Sequence, residues 1–179
     1  MRKDLKFIAN GCELDGWLYT PDSGKAPYPT IVMSHGFGAI KEMALDKFAD
    51  VFCAAGFACL VYDHRNTGKS AGEPRGELDP AQQISDMRDA ITYAIMQPEV
   101  DADRIGLWGT SYSGGHVLVV AATDRRVKCV VSQVPLISGH DNGQRLIRAD
   151  FFAGYRGMFD ADRRARYAGE PPAMVPVVA

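Results

Sequence analysis

Four cysteines in 179 residues, with no CxxC pair among them, leave no material for a disulfide framework or a zinc finger. Cys53, Cys59 and Cys129 sit inside apolar runs and are expected as reduced core residues of a cytoplasmic protein; Cys12 stands apart from them. No apolar run approaches the roughly 20 residues a membrane span needs. The first residues, Met1-Arg2-Lys3-Asp4-Leu5-Lys6, are charged and have no apolar stretch behind them, so no secretory leader and no membrane partner are expected. Charge of one sign is missing too: 20 Lys and Arg face 22 Asp and Glu, and no basic block stands out. A nucleic-acid partner is therefore not expected. What the chain does have is 46% hydrophobic residues, enough for a sizeable core in one domain.

Strand and helix signals alternate along it. Residues 5–9 and 13–19 flank Asn10-Gly11, a hairpin signal. After a turn-rich connection over 21–29, residues 30–34 form a continuous apolar run ending at His35-Gly36, as expected of a strand buried on both faces. Residues 43–55 carry Leu45, Phe48, Ala49 and Phe52 at helical spacing, and 57–62 read as a second buried strand. Asp79-Pro80 looks like an N-cap followed by proline at the first helical position, and Ile84, Met87, Ile91 and Ile95 continue the helix. Residues 104–108 and 127–134 are two further buried strands around a small-residue helix over 112–122. This alternation predicts an α/β fold, with a parallel sheet wound by right-handed crossovers. From about Ser138 the texture changes, and 141–170 read as amphipathic and helical, with many arginines.

Three segments carry candidate chemistry. The first is Trp108-Gly109-Thr110-Ser111-Tyr112-Ser113-Gly114-Gly115, between a strand and a helix. A nucleophilic serine on such a turn needs small neighbours two residues away on either side, because the two backbones nearly touch there. Gly109 and Ser113 meet that need, although glycine is usual at the second place. The helix N-terminus behind Ser111 would offer free N–H groups to an oxyanion. The competing reading is a Gly/Ser-rich turn that only joins strand to helix. The second segment is Ser34-His35-Gly36-Phe37-Gly38, which can aim the Phe37 N–H at the same point as that of Tyr112. His35 itself reads as a brace for the loop. The third is Asp63-His64-Arg65-Asn66-Thr67-Gly68-Lys69-Ser70, read as a loop held by an Asp63–Arg65 carboxylate–guanidinium pair. Its Gly68-Lys69-Ser70 is not a phosphate loop, because the glycine required five residues earlier is Asp63. Neither the histidines nor the cysteines show metal-ligand spacing.

In this order and at these separations, the three segments resemble the α/β-hydrolase superfamily. Residues 33–43 (MSHGFGAIKEM) and 108–116 (WGTSYSGGH) are similar to its dienelactone-hydrolase-like and X-Pro-peptidase-like (S15) branch, which includes hydrolases akin to polyketide acyltransferases. The resemblance implies a mostly parallel sheet with flanking helices and a serine hydrolase or acyltransferase working on a small acyl substrate: an ester, lactone, thioester or amide. Ser111 would be the nucleophile, Phe37 and Tyr112 the oxyanion donors, and no cofactor would be needed. Residues 1–137 would be the core and 138–179 the start of a helical lid. The family order is serine, then acid, then histidine on later strands. Only His116 and His140 follow Ser111. His116, five residues on, is expected to point away from the serine oxygen, and His140 stands at the start of the lid. The acid and base are thus expected beyond Ala179 or from a partner chain. The sheet is expected to lack its last strands and to expose an edge that pairs with a second copy or a complementing chain. A non-catalytic remnant is the alternative.

Overall fold

The computed structural model describes residues 1–177. The chain divides into two compact units, Met1–Ile137 and Ser138–Ala179. The first unit holds β1 (Arg2–Ala9), β2 (Cys12–Tyr19), β3 (Tyr28–Ser34), α1 (Leu45–Ala54), β4 (Ala58–Tyr62), α2 (Pro80–Ile95), β5 (Val100–Thr110), α3 (Tyr112–Thr123) and β6 (Val127–Gln133). The strands form one sheet in the order β1-β2-β4-β3-β5-β6. β1 pairs antiparallel with β2 and β2 antiparallel with β4, while the β4–β3, β3–β5 and β5–β6 pairs are parallel. This is the mostly parallel, helix-flanked sheet that the alternation of apolar runs predicts.

The apolar runs are continuous because the sheet is covered on both faces, and successive side chains of a strand point to opposite faces. Val32, Leu60, Tyr62, Ile105 and Leu107 pack with Met87, Ile91 and Ala94 of α2 and with Val117 and Val120 of α3. Their strand neighbours Met33, Cys59, Val61 and Trp108 pack with Trp17, Tyr19 and the α1 residues Leu45 and Ala49 on the other side. Burial of this kind is worth about 25 cal/mol per Å² of apolar surface, which makes these two layers the main source of stability.

Two expectations need correction. β6 is not a strand buried on both faces: it pairs with β5 alone among the described residues, Val131 is 49% exposed, and Cys129 is an exposed thiol rather than a core one. An edge strand keeps an apolar sequence without the burial that the sequence suggests. The second unit is likewise not one helical stretch. α4 (Gly139–Leu146) starts at Ser138, whose Oγ accepts the Asp141 N–H at 3.1 Å, and ends where Ile147 turns extended. A short 3-10 turn at Ala149–Phe151 leads into α5 (Phe152–Tyr167). Ile147 is β-branched and costly at a helix end, and the Arg148 guanidinium turns instead to Asp150. No described residue lies in a helix long and apolar enough to cross a membrane.

Candidate active site

β5 runs into α3 through Ser111, whose backbone has φ 55° and ψ −114°, a conformation that non-glycine residues seldom adopt. Holding it costs of order 1–3 kcal/mol, so the surroundings must enforce it. They do so through its own peptide groups. The Ser111 N–H donates to the Gln133 carbonyl at 2.9 Å, and its carbonyl accepts from Gly114 N–H at 3.0 Å and Leu136 N–H at 2.8 Å. Gly109 permits the turn, since a Cβ there would stand 2.3 Å from the Ser113 carbonyl oxygen. The Tyr112 N–H belongs to the same trans peptide as that Ser111 carbonyl and points the opposite way. As the first residue of α3 it has no intrahelical acceptor.

The end of β3 meets this turn. Ser34 pairs in register with Gly109, and a Cβ on Gly36 would lie 3.0 Å from Ser111 Cβ and 3.6 Å from its Oγ. Beyond it the Phe37 ring packs edge-on against the Tyr112 ring, centroids 5.5 Å apart. The Gly36 carbonyl is turned inward, contacting His35 Nδ1 at 3.0 Å and accepting the Ala39 N–H at 3.2 Å. The Phe37 N–H, on the far side of that peptide plane, therefore points away from the buried His35. Ser111, Phe37 and Tyr112 are thus brought together, with each of the two amides directed by the carbonyl across its own peptide bond. Phe37 is 52% exposed and Ser111 half-buried, so the group is open to solvent.

Beneath Ser111 lies a buried cluster of three histidines around Ser113, which the sequence signalled only as a small residue. Ser113 Oγ donates to the His35 carbonyl at 2.5 Å, so it accepts from His64 Nε2 at 2.8 Å; His116 Nδ1 is 3.5 Å away. His35 Nε2 in turn accepts the His64 N–H at 3.1 Å, which leaves the His35 proton on Nδ1. Burial holds all three imidazoles below the ordinary histidine range: His64 well below it, with the neighbouring His35 and His116 adding to the effect, and His116 to about 4. They are neutral struts. None forms a hydrogen bond to Ser111, and His140, in the second unit, bonds Gln144 at 2.9 Å.

The loop after β4 differs from its expected form. Asp63 does not pair with Arg65. It accepts Lys41 N–H at 2.7 Å, Lys41 Nζ at 2.6 Å and Lys69 N–H at 3.0 Å. Lys41 is fully buried and also reaches Asp15 at 2.6 Å; burial opposes its charge, but the Asp15 and Asp63 hydrogen bonds outweigh it and its pKa is raised. Arg65 points to the other side, where Nε and Nη2 hold both oxygens of the buried Asp86 of α2 at 2.6 and 2.5 Å. Each charge is instead matched by a buried partner of opposite sign, Lys41 for Asp63 and Asp86 for Arg65. A polar cavity of about 570 Å³ lined by Asn10, Glu13, Arg65, Glu73 and Glu77 includes none of Ser111, Phe37 and Tyr112. Among the described residues no cluster of His, Cys, Asp or Glu is arranged to hold a metal ion.

Known proteins resemble this chain in sequence and in fold. The family profile of the X-Pro dipeptidyl-peptidase (S15 family) matches residues 10–167. The quorum-quenching protein AidA of Acinetobacter baumannii is 39% identical over 176 residues, covering 98% of this chain and 57% of that protein. Thiohydrolase aneE of Aspergillus aculeatus is 39% identical over 179 residues, covering 98% of this chain and 55% of the relative. The polyketide transferase grgF of a Penicillium species is 36% identical over 178 residues, 99% of this chain and 58% of that protein. The crystal structure of the α/β hydrolase GrgF from Penicillium sp. sh18 superposes with a TM-score of 0.83 at 32% identity, over 100% of this chain and 59% of that one. The chain thus spans somewhat more than half the length of the curated relatives it matches. With the profile matched from the first hairpin to the end of α5, and with an α/β-hydrolase sheet carrying a serine on its strand-to-helix turn, the chain belongs to the X-Pro dipeptidyl-peptidase (S15) family of α/β hydrolases.

Proposed function

We propose that this chain is the nucleophile-bearing part of a serine hydrolase or acyltransferase acting on esters, lactones, thioesters or amides. Ser111 Oγ attacks the acyl carbonyl and forms an acyl-enzyme; the Phe37 and Tyr112 N–H groups receive the oxyanion. The observation that supports this best is the left-handed Ser111 backbone on the turn between β5 and α3, with the end of β3 packed against it. The proton acceptor is not His35, His64 or His116, whose nitrogens are neutral and engaged in or enclosed by the packing below. In this reading a histidine and a carboxylate from outside these residues complete the site, drawn from the further length of the relatives or from a second chain along the β6 edge. In the same reading Ser138–Ala179 is the start of a helical lid. An apolar cavity of about 560 Å³ within that unit, lined by Phe151, Tyr155, Met158 and Phe159, suits such a role.

Loss of the histidine base lowers kcat by roughly 10⁶ in a serine protease. The chain by itself is therefore expected to be nearly inert toward p-nitrophenyl acetate, keeping at most the roughly 10³–10⁴ over water that binding and the oxyanion hole leave. Imidazole supplied in the buffer should replace the base, and intact mass should then show one acetyl group on the protein and none on Ser111→Ala. Equal acetylation of the two proteins would sink the assignment of Ser111.

A further inference from the structure

Cys53 and Cys59 lie outside the machinery around Ser111 and meet across the contact between α1 and β4. Cys59 is fully buried, with its Sγ 3.9 Å from the Ala49 carbonyl oxygen. In an α-helix that carbonyl is the acceptor of the amide four residues on, which is Cys53. The Cys59 sulfur therefore rests on the helical turn that carries Cys53, and both side chains pack in one apolar cluster with Phe52 and Ala49. The Cys59 thiol donates to that Ala49 carbonyl, and the two sulfurs interact beside it.

Their surroundings differ. Cys53 is half-buried and lines a cavity of about 350 Å³ together with Met1, Tyr19, Asp22 and Asp50. Cys59 sits behind it. The neighbouring Cys59 thiol holds the Cys53 thiol below its ordinary range, although burial opposes this; Cys53 and burial together push Cys59 far up. The outer sulfur is therefore the better nucleophile and the inner one stays protonated. Cys12 and Cys129 lack this pairing; burial raises the Cys12 thiol and Cys129 is exposed.

We propose that Cys53 and Cys59 are an oxidisable dithiol, with Cys53 the sulfur that a hydroperoxide attacks and Cys59 the one that resolves it into an intramolecular disulfide. The Cys53 sulfur bonds to one peroxide oxygen as the O–O bond breaks, and the other oxygen leaves as water or an alcohol. The resulting sulfenic acid is then attacked by the Cys59 sulfur; the S–S bond forms and the hydroxyl leaves as water with the Cys59 proton. Two thiols are oxidised and one hydroperoxide is reduced.

The folded protein is exposed to one equivalent of hydrogen peroxide, denatured, and alkylated with N-ethylmaleimide. Alkylatable thiols should fall from four to two, with the label on Cys12 and Cys129 and an unreduced digest giving a Cys53–Cys59 crosslinked peptide. In Cys59→Ser the oxidation should stop at a Cys53 sulfenic acid that dimedone captures. In Cys53→Ser, Cys59 should remain alkylatable. Four alkylated thiols in the unsubstituted protein would overturn the proposal, as would a crosslink through Cys12 or Cys129 or a lasting dimedone adduct at Cys53. The unsubstituted protein decides the matter even if a variant fails to fold.

Discussion

His35 directs a group that it does not itself bond. Its Nδ1 proton goes to the Gly36 carbonyl and its Nε2 accepts from His64, so the ring fixes one peptide plane and with it the direction of the Phe37 N–H. Loss of a single oxyanion donor costs about 10²–10³ in kcat in a serine protease. A donor that is loosened rather than removed should cost less, so His35→Ala is expected to slow imidazole-assisted acetylation of Ser111 by about tenfold to a hundredfold. His35→Phe keeps the ring volume and loses both hydrogen bonds; an acetylation rate equal to that of the unsubstituted protein would assign the role to packing instead. The sequence marked His35 as a brace because a histidine so early in the chain is poorly placed to be the base. It gave no sign of Ser113 as the hub, since the hydroxyl's partners on His35 and His64 lie 78 and 49 positions away.

At the level of elements, apolar runs and caps carried most of the information. Asp79 caps α2 as its place before Pro80 suggests, its side chain accepting the Ala81 and Gln82 N–H groups. The buried face of that helix was legible only in part, because Gln83 and Asp86 share it with Met87 and Ile91 and no apolar periodicity marks them. Asp86 is buried because Arg65 reaches it from the loop after β4 and also donates to the Ala9 carbonyl of β1. The pair ties β1, that loop and α2 together. Arg65→Ala leaves a buried carboxylate whose remaining side-chain donor among the described residues is Asn10 Nδ2, at 3.2 Å. It is expected to destabilise the fold by about 3 kcal/mol, read as a lower urea midpoint with an unchanged slope. A loss below about 0.5 kcal/mol would mean that water reaches Asp86 and that the tether matters little.

Over the whole molecule, three buried neutral imidazoles make stability depend on pH. Burial lowers the folded-state pKa of His35, His64 and His116, so between the folded and unfolded values the unfolded chain binds more protons. Nothing is lost above the ordinary value of 6.5; stability falls as the pH drops from 6.5 toward about 4, where His116 protonates in the folded state. The His116 share of that loss is roughly 3 kcal/mol at 1.36 kcal/mol per pKa unit. Melting temperature should therefore fall steeply from pH 6.5 to 4, and His116→Gln should flatten the slope. A flat profile across that range would show that protonated histidines are accommodated beneath the Ser111 turn.

The sequence by itself determined the order of strands and helices, the doubly covered sheet and the positions of Ser111, Phe37 and Tyr112, because these depend on local apolar runs, small residues and turn signals a few positions apart. Tertiary structure alone decided which charge meets which: Asp63 with Lys41 and Arg65 with Asp86. It also made a half-covered edge of β6 and gathered three histidines around one serine hydroxyl. Apart from His116, three residues from Ser113, the polar partners in these contacts lie 20 to 80 residues apart and must satisfy one another out of water. A buried polar atom takes whatever partner the packed elements bring to it, and no local spacing records that choice.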